Sequence, residues 1–346
     1  MGTPNTALYR ILDANLDRAR EGLRVIEEWC RFGLNHAALA SQCKQLRQEL
    51  GGLHQDRFRL ARDTPADVGT QISHPQEEAR AGIWAVLQAN LCRVQEALRV
   101  LEEYGKLDDL ALGASCKHIR YRVYALESQL LLQERRQRLH QAHLYLVTSP
   151  VQSLSETVEA ALQGGVRLVQ YRDKDPDDSV RLARAMDLRS LCQRYEALFI
   201  VNDRVDLALA VDADGVHLGQ QDLPVQAARQ LLGPHRLIGR STTNPAELHR
   251  ALEEGVDYIG VGPVFATPTK TDKAVAGLDY VNYAATHSTL PWFAIGGIDA
   301  ENLPQVLDAG ARRVAVVRAV MQAADPTQAA QQLISRVGLS GLGSEQ

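Results

Sequence analysis

Eight short apolar runs that alternate with helical segments constrain the second part of this chain more than any other feature. They are LYLVTS (144–149), VRLVQYR (166–172), LFIVND (198–203), GVHLG (215–219), LIGRST (237–242), YIGVGPVF (258–265), WFAIGG (292–297) and RVAVV (313–317). Each is rich in Val, Ile or Leu and lacks strict apolar–polar alternation, as parallel strands buried on both faces do. Eight such strands separated by helices in roughly 200 residues specify an α/β fold with a TIM (β/α)8 barrel over 141–337. The Gly/Ser-rich end, 338–346, reads as a disordered tail.

Residues 1–140 follow a different pattern. Leu8, Leu12, Leu16, Ala19, Leu23 and Ile26 recur every three or four residues, the period of a helix with one buried face. The stretch RILDANLDRAREGLRVIEEW returns as AVLQANLCRVQEALRVLEEY at a shift of 75, the difference between Asn90 and Asn15. Its polar positions return too: Asn15/Asn90, Arg18/Arg93, Glu21/Glu96, Arg24/Arg99, Glu27/Glu102 and Glu28/Glu103. Two related helical hairpins about a pseudo-twofold axis account for this, with the Pro/Gly-containing segment Asp63–Gly69 as the loop between them. The repeated polar residues are either helix-surface pairs or the walls of a second ligand site. The charged run from Gln133 to Gln141 reads as a solvated helix face or linker.

Bulk properties narrow the functions available. A formal net charge of -4 provides no overall basic field for nucleic acid or an anionic membrane, so any site for anions must be locally basic. The five cysteines show no C-x-x-C spacing, which argues against a zinc or redox motif and against a disulfide framework. Neither a secretory signal nor an apolar run of the roughly 20 residues a membrane span needs is present. These features give the expectation of a cytoplasmic protein.

In a barrel of this kind the active site lies at the C-terminal ends of the strands. Strand two ends in Gln170-Tyr171-Arg172-Asp173-Lys174. There Gln170, Arg172 and Lys174 share one side and suit a polyanion, or else form an exposed ion-pair cluster. Asp203 after strand three and Asp222 after strand four form a carboxylate pair able to hold magnesium; Asp222 alone could equally cap the next helix. After strand five, Ser241 is open to a ligand, whereas Asn244 before Pro245 reads as a helix cap. The loop after strand six carries Thr267, Pro268, Thr269 and Lys270, which reach a phosphate or form a polar surface. Gly297 after strand seven and Val317-Arg318 after strand eight occupy the usual phosphate-binding loops of such barrels. A metal site, a polyanion site and a separate phosphate site together suit two phosphorylated substrates.

The stretches QYRDK (170–174), VND (201–203), GVHLGQQD (215–222), GRS (239–241), GPVFATPTK (262–270) and AIGGI (294–298) occur in this order and span nearly the whole barrel. In them the chain closely resembles the thiamine-phosphate synthases. The resemblance implies a transferase of thiamine biosynthesis that uses magnesium. Such an enzyme joins 4-amino-2-methyl-5-(diphosphooxymethyl)pyrimidine to 4-methyl-5-(2-phosphoethyl)thiazole and releases pyrophosphate. It further implies that Gln170, Arg172, Lys174 and Asn202 bind the pyrimidine pyrophosphate, with Tyr171 and Asp173 in the same motif. Ser241 and Lys270 join them, and Arg172, Lys174, Lys270 and Ser241 carry the catalytic roles. Asp203 and Asp222 become the magnesium ligands. Thr267, Pro268, Thr269, Gly297, Val317 and Arg318 fall to the thiazole phosphate.

Two positions depart from the family pattern: Arg318 stands where a serine is usual, and Thr243 where a histidine is common. The implied partners are the two substrates, without nucleic acid or membrane, and a homo-oligomer is compatible with the sequence. A thiazole tautomerase on the same barrel and a non-catalytic sensor of thiamine precursors are the alternatives. The tautomerase needs no magnesium-pyrophosphate site, so Arg172, Lys174, Asp203 and Asp222 together favour the synthase. Residues 1–140 resemble a helical extension found ahead of this synthase in cyanobacteria and some other bacteria.

Overall fold

The computed structural model describes residues 4–65, 67–68, 80, 82–173, 177–267 and 275–341. The chain divides into two compact units, 1–133 and 134–346. No helix among the described residues is long and apolar enough to cross a membrane.

The first unit is helical. It contains α1 (Pro4–Glu28), a π-helical turn (Trp29–Gly33), α2 (Ala37–Gly52), α3 (Asp56–Leu60), α4 (Ile83–Gly105) and the start of α5 (Leu110–Gln141). The apolar stripe read from the repeat is the core: Leu12, Leu16, Leu23 and Ile26 of α1 and Leu91, Leu98 and Leu101 of α4 are fully buried. Full burial of each such side chain is worth about 1.5–3 kcal/mol. Part of the polar repeat serves the helices themselves. Asn15 Nδ2 donates to the Ile11 carbonyl and Asn90 Nδ2 to the Val86 carbonyl, both at 2.8 Å.

The second helices of the two hairpins repeat as well, at a shift of 73, since Arg120 minus Arg47 is 73. Cys43/Cys116, Leu46/Ile119 and Arg47/Arg120 correspond; all are buried except Arg47, which is partly exposed. The two repeats converge on equivalent ion pairs. Arg47 pairs with Glu27, and Arg120 holds Glu102 Oε2 through Nε at 3.0 Å and Nη2 at 2.8 Å. Burial alone would raise the Glu102 carboxyl, but the hydrogen bonds and charge of Arg120 outweigh it and hold its pKa below the usual range.

The second unit is a closed parallel barrel with strand order β1 to β8. The strands are β1 (Leu144–Val147), β2 (Leu168–Tyr171), β3 (Leu198–Asn202), β4 (Gly215–Leu218), β5 (Leu237–Thr242), β6 (Tyr258–Val261), β7 (Trp292–Ile295) and β8 (Val314–Val316). The helices that follow are α6 (Leu154–Gln163), α7 (Asp178–Arg194), α8 (Val205–Ala210), α9 (Val225–Leu232), α10 (Pro245–Glu253), α11 (Gly277–His287), α12 (Leu303–Asp308), α13 (Arg318–Met321) and α14 (Pro326–Gly341). Most strands stop before the end of the apolar run that announced them, because the last residues of each run turn into the loop at the barrel mouth. Alternate strand residues, such as Val169, Tyr171, Phe199 and Val201, enter the large core between barrel and helices.

Two expectations need correction. The tail expected from Gly338 is helical as far as Gly341, and 342–346 lie outside the described residues. The charged run from Gln133 is not a solvated face. Arg135 is buried, donating to Asp214 Oδ1 at 3.0 Å and to the His235 carbonyl at 2.8 Å. Arg136 pairs with Asp257 at 2.8 Å. Both aspartates also accept a strand amide, Asp214 from Phe199 and Asp257 from Ile238, each at 2.9 Å. The end of α5 thus supplies the countercharges for two carboxylates buried just ahead of β4 and β6.

Candidate active site

At the C-terminal mouth of the barrel lies a cavity of about 390 Å³. Its polar wall carries Gln170, Arg172, Asn202 and Ser241, and the opposite wall carries Thr267, Gly297, Val317 and Arg318. The strand ends set these positions. Thr148, fully buried after β1, accepts from the Arg172 N–H through Oγ1 at 2.9 Å and so fixes the chain where it leaves β2. Asn202 pairs in register with His217, and His217 with Gly239.

The floor is aromatic and was not singled out by the sequence reading. Tyr145, Tyr258 and Phe293 meet at ring-centroid distances of 5.1 to 6.0 Å, and His217 lies 5.5 Å from Tyr258. A hydrogen-bond chain crosses it. Gln170 Nε2 donates to Tyr145 Oη at 2.7 Å, and Tyr145 and Tyr258 share a hydrogen bond of 2.9 Å. Tyr258 Oη lies 3.3 Å from His217 Nδ1, and His217 Nε2 lies 2.9 Å from Ser241 Oγ. Burial pushes the phenols of Tyr145 and Tyr258 well up, so both are neutral donors. In the tautomer that carries its proton on Nε2, His217 accepts from Tyr258 and donates to Ser241 Oγ, which frees the Ser241 proton for a ligand. Gly239 makes room for this chain: a Cβ there would stand 2.2 Å from Tyr258 Cζ and 2.6 Å from His217 Nδ1.

The other wall is built from backbone. Gly297 adopts φ +66, a left-handed conformation that favours glycine, and an added Cβ would meet Phe265 Cβ at 2.9 Å. Among the described residues, the N–H groups of Gly297, Val317 and Arg318 have no hydrogen-bond acceptor. Unpaired amides facing a cavity suit an anion. Arg318 lines the cavity, and its side chain is exposed.

Several expected site residues lie elsewhere. Tyr171 does not reach the cavity: strand alternation turns it outward into the helix layer, where it is 2% exposed. Asp173 is also absent from the cavity wall and holds Arg184 at 2.8 Å. Lys174, Pro268, Thr269 and Lys270 fall outside the described residues. Asp203 follows Asn202 with φ +61, and its N–H donates to the His217 carbonyl at 2.9 Å. Asp222 does not cap α9, whose first turn begins after Pro224. Instead its Oδ2 accepts from the Gly219 N–H at 2.6 Å, closing the loop after β4. Neither aspartate lines the cavity itself; Asp203 directly follows Asn202 of its wall, and Asp222 lies in the loop after β4, the strand next to β3. Asn244 does cap α10, accepting from the Glu247 N–H at 3.0 Å. Glu247 in turn binds the Thr243 N–H and hydroxyl at 2.8 and 2.9 Å, so Thr243 belongs to this helix start.

Residues 144–320 match the family model described as thiamine monophosphate synthase, and residues 10–129 match the ThiD2 family. A thiamine-phosphate synthase of Synechocystis sp. is 68% identical over 332 residues, covering 96% of this chain and 97% of that protein. One of Nostoc sp. is 67% identical, covering 95% of this chain and 94% of its own length. The solved thiamine phosphate pyrophosphorylase of Pyrococcus furiosus is 38% identical with a TM-score of 0.55, covering 60% of this chain and 98% of its own. With relatives this similar along almost its full length, the chain belongs to the thiamine-phosphate synthase family.

Proposed function

We propose that this chain makes thiamine phosphate by attack of the thiazole nitrogen on the methylene carbon of the pyrimidine pyrophosphate, with magnesium assisting the departure of pyrophosphate. One observation carries the reading: a single cavity has side-chain donors on one wall, unpaired backbone amides on the other, and aromatic rings between them. That arrangement accommodates two anionic ends with two flat heterocycles in the middle.

Arg172 and Asn202 bind the pyrophosphate end, and Lys174 and Lys270 belong to the same group by the family motif. Thr267 and the amides of Gly297, Val317 and Arg318 hold the thiazole phosphate. Ser241, oriented through His217, donates its proton to the pyrimidine substrate. The amino-pyrimidine feeds electrons toward its methylene as the carbon–oxygen bond breaks, so no protein nucleophile is needed. What the chain supplies is alignment of nitrogen and carbon and fixed positive charge where the leaving anion forms.

Asp203 and Asp222 fit magnesium. They provide two hard oxygen donors on adjacent strand ends, and magnesium commonly takes one or two carboxylates with substrate phosphate and water completing its shell. When bound there, the ion neutralises charge on the departing pyrophosphate. The same reading makes the enzyme a cytoplasmic transferase. Phosphorus NMR of the reaction tests it. Thiamine phosphate and pyrophosphate should appear in equal amounts; an isomerised thiazole phosphate with no pyrophosphate would sink the proposal.

A further inference from the structure

Asp203 is the centre of a three-residue turn. Its φ is +61, and the Arg204 N–H donates to the Asn202 carbonyl at 2.7 Å. A turn of this kind with a positive central φ is rare, and it is strained for a residue that has a Cβ. Such a conformation persists only where its surroundings hold it. On one side β3 does so: the Asp203 N–H donates to the His217 carbonyl at 2.9 Å, and Asn202 pairs in register with His217. On the other side stands Arg204, which precedes α8 and gives that helix no side-chain cap.

The Arg204 side chain is gripped by two carboxylates. Nε donates to Asp206 Oδ1 at 2.8 Å and Nη2 to Asp206 Oδ2 at 2.6 Å. Nη1 donates to Asp178 Oδ1 at 2.9 Å, with Nη2 at 3.4 Å from Asp178 Oδ2. Asp206 lies in the first turn of α8 and Asp178 in the first turn of α7. One guanidinium thus joins the starts of the helices that follow β3 and β2. The loop after β2 carries Arg172 and, outside the described residues, Lys174. Its other contacts bind it to its own helix: Asp173 pairs with Arg184 of α7 at 2.8 Å, and Asp177 Oδ1 accepts from the Val180 N–H at 3.1 Å. The Arg204 fork binds it to the loop after β3.

This fork adds little to stability. The side chains of Arg204, Asp178 and Asp206 are 40%, 71% and 64% exposed, and ion pairs so open to water are worth little. Nor does Arg204 line the cavity. Its contribution is geometrical. A planar guanidinium held along two edges fixes both the distance and the angle between its partners, which a lysine ammonium does not.

We infer that Arg204 is a positioning residue for the synthase reaction. Its fork holds the loop after β2 and the Asp203 turn at a fixed spacing, so that the cations of one and the carboxylate of the other meet the same magnesium pyrophosphate. This rests on the reading of Asp203 as a magnesium ligand. Isothermal titration of the full chain with magnesium pyrophosphate tests it, using wild type, Asp203→Asn, Arg204→Ala and Arg204→Lys. The barrel site is the one that Asp203→Asn weakens. Arg204→Ala should weaken that site about tenfold or more, within the range that a small misplacement of binding groups costs. Arg204→Lys keeps the charge without the fork and should lose nearly as much. In steady-state kinetics both Arg204 variants should raise KM for the pyrimidine pyrophosphate about tenfold and leave KM for the thiazole phosphate within about twofold of wild type. Their melting temperatures should stay within about 4 °C of wild type. Wild-type affinity in Arg204→Ala, with Asp203→Asn weakened, would overturn the inference and leave the magnesium reading intact. Wild-type affinity in Arg204→Lys would reduce Arg204 to a nearby charge and overturn it too. A larger fall in the melting temperature of Arg204→Lys would make the fork a structural brace, with the same result. Unchanged affinity in Asp203→Asn would remove the magnesium reading and the inference together.

Discussion

His217 Nε2 lies 2.9 Å from Ser241 Oγ, and through this contact the aromatic floor of the barrel sets the direction of a hydroxyl at its mouth. His217→Ala should therefore lower kcat about 10- to 100-fold, the value of one oriented hydrogen bond to a charged or polarised substrate. His217→Gln, whose amide can still donate, should recover part of the loss. Steady-state kinetics decides this: equal rates for wild type and His217→Ala would remove the chain from catalysis.

Arg172 is the cation on the cavity's polar wall whose backbone is pinned by Thr148. Arg172→Ala should lower the rate about 100- to 1,000-fold, as other lost transition-state contacts do. It should also raise KM for the pyrimidine pyrophosphate more than KM for the thiazole phosphate. A variant within threefold of wild type would contradict its role.

Asp222→Asn keeps an oxygen able to accept from the Gly219 N–H, so the loop after β4 should survive. The substitution removes only charge. A magnesium titration of the rate should shift to higher concentration, whereas an unchanged titration would make Asp222 a loop-closing residue alone.

The depressed pKa of Glu102 has a consequence for acid stability. Its ion pair with Arg120 contributes in full above the ordinary carboxyl value of 4.5 and is lost as pH falls toward the lower folded value. Amide protection in α4, corrected for intrinsic exchange, should thus fall on acidification below about pH 4.5. In Glu102→Gln the protection should start lower and change less over the same range. Parallel profiles for the two proteins would show that this pair does not set the acid limit.

A fragment that begins at Ala142 should be less stable than one that begins at Glu134. The shorter fragment lacks Arg135 and Arg136 and leaves Asp214 and Asp257, both almost wholly buried, short of countercharge. Breaking a buried pair such as Arg135–Asp214 costs about 3–5 kcal/mol, and the loss of the partly exposed Arg136 adds less. Arg189 and Arg229, which also reach these aspartates, should reduce that cost. Equal melting temperatures would contradict this account of the end of α5.

The barrel is legible in the sequence because its signal is local: runs of Val, Ile and Leu of strand length, repeated eight times. Gln170, Arg172, Asn202 and Ser241 are legible for a related reason, since polar residues at the end of a buried strand need a use. His217, Tyr145 and Tyr258 are harder to read. A single polar or aromatic residue inside a short strand looks like core, and its partners lie on other strands, as Tyr258 does from Tyr145 at a separation of 113 residues. Strand alternation was the available signal, because it turns all three inward. Arg135 shows the same limit. Its helix looks solvated until Asp214, 79 residues later, is placed beside it. Tyr171 shows the converse: its neighbours in the motif face the cavity, but the two-residue period of the strand turns it away.

The most direct test of the central claim is a coupled assay of thiamine phosphate formation by the full chain, given both substrates, with magnesium and with magnesium removed by chelation. The account predicts product together with pyrophosphate only when magnesium is present, and near-complete loss of that activity in Arg172→Ala. Product formation that is indifferent to magnesium, or no product from the two substrates, would contradict it.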